Sequence, residues 1–363
     1  MKIIITGACA VSARSVLRSL KMSSVFGDAE FIGWDMCTLL YGVYEGIFNK
    51  IYKVPAVNDA RYETEVNKIL AKEKPDAVIV VPEVEVLYWS EHHFDVPHIV
   101  PPKSFSKLVI SKERLFDALK DTNLVPKHIT VNGTDFDNQD YECPLGYPVW
   151  IRDGAAGTAS AKGAFKANSV DDLRAWAIIN RGIDRFQLSE YLPGGNYGCF
   201  CLFKNGKLIK MAQAERIEYI MAKVALSGIT GNTSKGKLLN NEKIKETALK
   251  AIDILCTQTH EQMNGLVVVD MKGDQNNNPI ITEINIRHVA FSSSFAMAGF
   301  NISEYQLLLA LERDSEISPE IEKSYPVTNL ILRDVDGAPI YIEKEEKLEI
   351  GECIKKKDDS RKK

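Results

Sequence analysis

The sequence predicts an α/β protein, and three observations carry that prediction. "KIIIT" runs into "GACAVSARSVLRSL", an apolar strand, a glycine turn and an amphipathic helix in series. Further apolar runs, "EFIGWD" ending at Asp35 and "PDAVIVVPE", alternate with helical stretches such as "RYETEVNKILAKEK". That order builds a parallel sheet with crossover helices. Finally, 45% of the 363 residues are apolar, enough for two or three domains with buried cores. The first hundred residues are accordingly expected to form a Rossmann-like parallel sheet. The dinucleotide fingerprint is missing, because "GACAVS" lacks the second and third glycines. NAD is therefore not the expected ligand, and these strand ends read as one wall of a cleft for another one.

Composition removes several function classes. A net charge of -4, with no basic run beside aromatics, leaves no electrostatic footprint for nucleic acid. No apolar run approaches the ~20 residues of a membrane span. "MKIIITGACAV" resembles a signal peptide only until Thr6 and Gly7 interrupt it, so it reads as a first strand. Seven cysteines without a C-x-x-C pair indicate neither a disulfide framework nor a zinc site. The expectation is a soluble, cytoplasmic protein.

Beyond the proline-rich "VPHIVPPKSF", a boundary is expected near residue 105. A helix follows in "SKERLFDALKDTNLVP", with Ser111 as N-cap and Asn123 near its end. "YPVWIRDGAAGTASAKGAFKA" reads as two strands flanking small residues. "RFQLSEYLPGGNYGCFCLFKNGKLIKMAQAE" reads as strand, turn, strand, with "NG" closing the last hairpin. "NNEKIKETALKAIDILCTQTH" and "ISEYQLLLALERD" are further helices, and the charged tail "KKKDDSRKK" is expected to be disordered.

The chemistry concentrates in "GLVVVDMKGDQNNNPIITEINIR", an antiparallel hairpin around a polar turn. In an extended chain Glu283, Asn285 and Arg287 share one face, while Ile284 and Ile286 point the other way. A turn centred between Asn276 and Asn277 sets Asp270 opposite Glu283. Side chains so placed are ~5 Å apart, where two carboxylates repel. The arrangement makes sense around an oxygen-seeking cation such as magnesium, which commonly keeps phosphates and waters in its other positions. A solvated hairpin face is the alternative. Phosphate donors are available in Lys112, which opens a helix, and Arg152, which ends "PVWIR". "DGAAGTASAKG" can bring backbone N–H groups close to phosphates, with Gly157, Ser160, Lys162 and Gly163 as candidate contacts. It is no Walker A loop, since no G-K-[ST] leads into a helix. A flap over a nucleotide is one reading and an ordinary hairpin loop the other.

Together these segments resemble the ATP-grasp superfamily over roughly residues 1 to 310. The chain looks closest to the branch of the carbamoyl phosphate synthetase large chain and related stand-alone ligases. "ITEINIRHVAFSSSFAMAGFN" is similar to that branch's E-x-N-P-R segment and the helix start after it. The resemblance implies an α/β Rossmann-like pre-ATP-grasp domain (1–105) followed by an α+β two-subdomain ATP-grasp fold (106–312). The flap subdomain would be about 106–187 and the metal-binding subdomain about 188–312, with C-terminal strands and the tail in 313–363. It implies Asp270, Glu283 and Asn285 as magnesium ligands, with manganese as a substitute, and Lys112 and Arg152 on the ATP phosphates. In "LSEYLPG", Glu190 would take the adenine amino group and the backbone near Leu192 the ring edge. Arg287 would steady the acyl phosphate or substrate carboxylate. Ile286 stands where the branch has proline, and Asn196 where a ribose-binding glutamate is common. "AERIEYIMAKV" matches its segment only loosely, so Arg216 receives no role.

Other residues carry plainer readings. His92 and His93 are expected in a surface loop, and Cys199 and Cys201 in the core. Glu83 and Glu85 fall at a parallel strand's end, as helix N-terminal acids or as partners of a substrate amine. No Ser–His or Cys–His pairing suggests a covalent intermediate. The expected function is an ATP-dependent ligase that activates a carboxylate as an acyl phosphate and joins it to an amine. ADP and phosphate are the products, and the chain acts on small molecules as a monomer or homodimer. Bicarbonate activation of the carboxylase or carbamoyl phosphate kind is the rival within enzymes. A non-catalytic nucleotide-binding subunit is the rival outside them.

Overall fold

The computed structural model describes residues 1–37, 41–154, 164–224, 228, 230–334, 340 and 348–355. Its first sheet holds β1 (Lys2–Thr6), β2 (Glu30–Asp35), β3 (Lys50–Lys53) and β4 (Ala77–Ile79), all parallel, in the order β3-β2-β1-β4. Ile3, Ile4 and Ile5 of β1 are fully buried because helices cover both faces of the sheet. Such double cover is why the strand reads as an unbroken apolar run. Each such side chain contributes ~1.5–3 kcal/mol on leaving water. The Val11–Lys21 helix turns Ala13, Val16, Leu17 and Leu20 inward at helical spacing.

The second sheet is antiparallel: β5 (His128–Asn132), β6 (Val149–Asp153), β7 (Phe165–Ala167) and β8 (Arg185–Glu190), in the order β5-β8-β6-β7. The third contains β9 (Asn196–Lys204), β10 (Lys207–Tyr219), β11 (Thr233–Leu239), β12 (Gly265–Gly273), β13 (Pro279–Asn285) and β14 (Ile331–Leu332). Their order is β13-β12-β9-β10-β11-β14. The last described strand, β15 (Cys353–Lys355), returns to the first sheet and pairs antiparallel with β3. Asn205 and Gly206, both at positive φ, make the tight turn between β9 and β10 that "NG" predicts.

One apolar cluster runs from Ile4 and Ile32 through Phe105 and Phe116 to Cys199, Val267 and Ile284. It joins the first sheet to the third. The Glu242–Thr259 helix belongs to it, burying Ile244, Ala248, Ala251, Ile252 and Leu255. Asn241 caps that helix by accepting the Ile244 N–H, and His260 ends it in the left-handed conformation.

Some local expectations shift. Ser111 caps its helix by accepting the Arg114 N–H at 3.3 Å, but the helix ends at Leu119 rather than near Asn123. Asn123 takes φ 58, and Leu124 beyond it gives its carbonyl to Ile281. The two strands read on either side of "YLPGG" do not pair with each other: β8 lies in the second sheet and β9 in the third, so this turn is a crossing between them. β3, β5 and β11 are additional strands. The tail 356–363 lies outside the described residues. Among the described residues no helix is long and apolar enough to cross a membrane.

Candidate active site

A cavity of about 330 Å³ opens between the second and third sheets and is bounded also by Val11 and Ser12 of the first helix. Lys112, Arg152, Glu190, Leu192, Asn196, Asp270, Glu283, Asn285 and Arg287 all line it. These sequence-predicted residues come from five segments and meet at one site. Gly157, Ser160, Lys162 and Gly163 lie outside the described residues.

The floor is the β12–β13 hairpin, where Asp270 stands opposite Glu283. The register has an extra step that the turn does not foretell. Nearer the turn, Met271 pairs Ile281 and Lys272 pairs Ile280, and a bulge at Thr282 restores the Asp270–Glu283 match. Ile284 and Ile286 are buried beneath, in the cluster shared with the first sheet. The unusual alternation of polar and apolar residues is that of a strand with the core on one face and a cavity on the other.

Cations hold both carboxylates. Lys112 Nζ lies 3.3 Å from Glu283. Arg216 Nη2 lies 2.5 Å from Asp270 Oδ1, and Asn285 Nδ2 donates to Asp270 Oδ2 at 3.2 Å. Burial pushes the Asp270 carboxyl above its ordinary range against the pull of Arg216, and Glu283 adds to the push by repulsion. Burial acts likewise on Glu283, but Lys112 and Arg152 outweigh it and hold that carboxyl below its ordinary range. The two carboxyls are thus inequivalent, pushed in opposite directions by the same site.

Arg216, to which the sequence assigned no role, reaches Asp270 across an intervening strand. β9 lies between β10 and β12, and Gly198 of β9 pairs both Ala214 and Asp270. A Cβ at Gly198 would stand 3.2 Å from Arg216 Nη2 and 3.5 Å from Asp270 Oδ1. The glycine leaves the gap through which the arginine passes.

Arg152 is buried on β6. Its Nε and Nη2 donate to Gln187 Oε1 of β8 at 2.9 and 2.7 Å, and Nη1 donates to the Thr282 carbonyl at 3.2 Å. The bulge residue thus receives the guanidinium, which bridges the second sheet to the third. Phe116 lies under it at 4.9 Å. Burial lowers its pKa to about 10. Gln187 also donates weakly to the Lys112 carbonyl at 3.5 Å, tying the two predicted phosphate cations together.

Arg287 sits just past β13, with Nη1 donating to the His288 carbonyl at 3.0 Å and Nε 3.8 Å from Glu83. His288 is buried between Ser292 Oγ at 2.9 Å and Gln306 Oε1 at 2.7 Å, and burial lowers its pKa to about 4. A neutral imidazole therefore anchors the loop that carries Arg287. Elsewhere in the lining Pro126, Trp150, Tyr191, Leu192 and Met271 contribute apolar surface. Glu190 accepts the Lys127 backbone N–H at 3.1 Å, and Asn196 Oδ1 lies 3.5 Å from Lys272 Nζ. Glu83 and Glu85 occupy the first turn of the Glu83–Glu91 helix. Glu85 is buried under Trp34, which donates to it at 3.2 Å, and burial raises its pKa to about 7. His92 ends that helix, exposed and stacked on Tyr88, while Cys199 and Cys201 are fully buried.

The described lining carries Lys112, Arg152, Arg216, Lys272, Arg287 and Arg333 against Asp153, Glu190, Asp270 and Glu283. Such a positive surplus over a low-dielectric wall suits a polyanion. Among the described residues no group of three or more His, Cys, Asp and Glu gathers as a metal cluster. The donor set at the hairpin is instead two carboxylates and an amide. Hard oxygen donors with room for phosphates fit magnesium, not zinc.

No protein-family model matches the chain, and no curated protein matches its sequence. Solved structures do resemble it. An L-amino acid ligase from Bacillus licheniformis aligns with a TM-score of 0.59 at 12% identity, over 88% of this chain and 77% of that one. The biotin carboxylase domain of Hydrogenobacter thermophilus 2-oxoglutarate carboxylase, a dimer solved with MgADP and bicarbonate, gives 0.57 at 14% identity over 85% and 69%. A D-alanine–D-alanine ligase from Bacillus anthracis, solved with ATP, gives 0.51 at 12% identity over 87% and 97%. At these identities the likeness is one of fold.

Proposed function

Because the chain has the ATP-grasp fold, we propose that it is an ATP-dependent ligase. It activates a carboxylate as an acyl phosphate and joins it to an amine, releasing ADP and phosphate. The observation that carries this reading is the Asp270–Glu283 pair facing into a cavity that Lys112, Arg152 and Arg287 also line. The division of labour follows the sequence: residues 1–105 as a Rossmann-like wall, 106–187 as flap and 188–312 as metal-binding subdomain. The strand order β3-β2-β1-β4 supports the first of these.

In this reading the apolar surface of the lining takes the adenine ring, with Glu190 and the backbone at Leu192 on its edge and Asn196 near the ribose. Asp270, Glu283 and Asn285 would hold magnesium, which when bound supplies positive charge against the phosphates. Lys112 and Arg152 hold phosphate oxygens from the other side. Positioned charge of this kind is what phosphoryl transfer needs, with little call for a protein nucleophile. A carboxylate oxygen of the acid attacks the γ-phosphorus, and the bond to ADP breaks. Arg287 holds the acyl phosphate until an amine attacks its carbonyl carbon and phosphate leaves.

The leaving phosphate keeps the oxygen through which the acid attacked. With heavy oxygen in the acid's carboxylate, one label is expected in the released phosphate, and the nucleotide product is ADP. AMP, or unlabelled phosphate, would sink the proposal. ADP release that depends on bicarbonate alone would favour the carboxylase-like reading, which the bicarbonate-bound neighbour brings into view.

A further inference from the structure

Arg333 lies beyond residues 1 to 310, over which the sequence resembles ATP-grasp ligases, yet its side chain lines the same cavity. It follows β14, the edge strand beyond β11. Its backbone N–H donates to the Ser234 carbonyl at 2.8 Å and its Nη1 to the Thr233 carbonyl at 3.3 Å. The guanidinium stands 6.0 Å from the Phe291 ring. Phe291 in turn packs on β11, where a Cβ at Gly236 would lie 3.0 Å from its ring. The loop after β13 therefore carries Arg287 at one end and, four residues on, the aromatic platform of Arg333. Four residues of chain span at most ~14 Å, and both guanidiniums line the one cavity.

They are not equivalent. Arg287 has Glu83 at 3.8 Å, and Arg216 and Lys112 have their own carboxylates. Among the described residues Arg333 forms no ion pair and has only a carbonyl and a ring for company. It is half-buried, and burial and the charge of Arg18 both oppose its own charge. A desolvated guanidinium with no counter-charge is costly unless an anion arrives.

We propose that Arg333 is a specificity residue for the acid substrate: the acid bears a second anionic group, carboxylate or phosphate, which Arg333 holds while the first carboxylate is activated beside Arg287. This rests on the ligase reading above and narrows its substrate to dianionic acids. A planar guanidinium offers such a group a two-pronged contact that lysine cannot reproduce.

Calorimetry with three probes of similar chain length tests it: glutarate, 4-phosphonobutyrate and butyrate, each titrated with and without magnesium and a non-hydrolysable ATP analogue. Wild type is expected to bind at least one dianion ten or more times tighter than butyrate, and the tighter of the two tells carboxylate from phosphate. Arg333→Met should bring that dianion to the butyrate level while leaving butyrate and the nucleotide analogue unchanged. Arg333→Lys should fall between. With hydroxylamine as a generic amine, the same order should appear in the KM of hydroxamate formation. Equal binding of all three probes by wild type, or an unchanged dianion preference in Arg333→Met, overturns the proposal. So does weaker nucleotide binding as the only effect of that variant, which would make Arg333 an ATP contact. Failure of the nucleotide analogue to bind at all would count against the ligase reading, and the titrations without nucleotide would still decide the role of Arg333.

Discussion

Replacing Gln187 by leucine keeps a side chain of similar size and deletes the amide oxygen, together with the amide nitrogen that donates weakly to the Lys112 carbonyl. That oxygen accepts two N–H groups of the Arg152 guanidinium, at 2.9 and 2.7 Å, in a place where Gln187 is 1% exposed. What remains to Arg152 is the Thr282 carbonyl at 3.2 Å, the face of Phe116 and the attraction of Glu283. Hydrogen bonds to a charged group contribute ~1.5–3 kcal/mol each, so losing two gives ~3 kcal/mol or more for Gln187→Leu. Urea unfolding measures it as a lower midpoint at unchanged slope. If Arg152 holds phosphate as proposed, the same lesion should appear in function, because a guanidinium freed to swing loses its alignment. Misplacement of a binding group by ~1 Å can cost ~100-fold in rate, so the KM for ATP should rise and kcat/KM fall while the acid's KM changes less. Gln187→Glu keeps the acceptor and so should keep the stability, but its charge would compete with phosphate for Arg152. A loss under ~1 kcal/mol, the scale of an ordinary substitution, together with a wild-type KM for ATP would refute the clasp.

Glu283→Gln should fold normally, lose turnover and lose the rise in melting temperature that magnesium with nucleotide gives wild type by mass action; full activity would remove Glu283 from the metal site. Arg216→Met leaves Asp270 buried without its cation and should cost ~3 kcal/mol or more at pH 7. Adding Asp270→Asn should restore much of that in denaturant titrations, and a double variant no more stable than Arg216→Met would contradict the pairing. His288 gives a pH signature. Its ordinary pKa of 6.5 drops to about 4 in the folded chain, so between those values the unfolded chain binds a proton that the folded one refuses. Stability should fall as pH drops through that window, by up to ~3 kcal/mol, and level off below it. His288→Asn should flatten the fall; an identical pH profile would show that His288 is not its source.

The hairpin was legible because its logic is local. A polar turn, an apolar alternation and two acids equidistant from the turn set Asp270 against Glu283, although the bulge at Thr282 had no visible signal. The helix cap at Ser111 and the Asn205–Gly206 turn are local in the same way. Arg216 was opaque because its partner is 54 residues away and two strands over. Only the sheet order β12-β9-β10 brings them together. Gln187 was opaque for another reason. Phe186 and Leu188 face the core of the second sheet, so alternation puts Gln187 on the side that would ordinarily meet solvent. The third sheet and Arg152 cover that side. β3 and β14 were too short to register as periodic, at four and two residues.

Gly198 also changes how the site should be traced in other sequences. The bond between Arg216 and Asp270 crosses β9 only because position 198 has no side chain. A methyl group there would stand 3.2 Å from the Arg216 guanidinium, which would have to give slightly, and in ordinary contact with Asp270 at 3.5 Å, so the three positions, on three neighbouring strands, are sterically linked. The most telling mark of this charge pair in a primary structure is then a missing side chain on a strand to which neither partner belongs. Anyone redesigning the strand that carries Asp270 would have to begin with that glycine, because a side chain larger than alanine at 198 crowds the passage before any change at Asp270 can be judged.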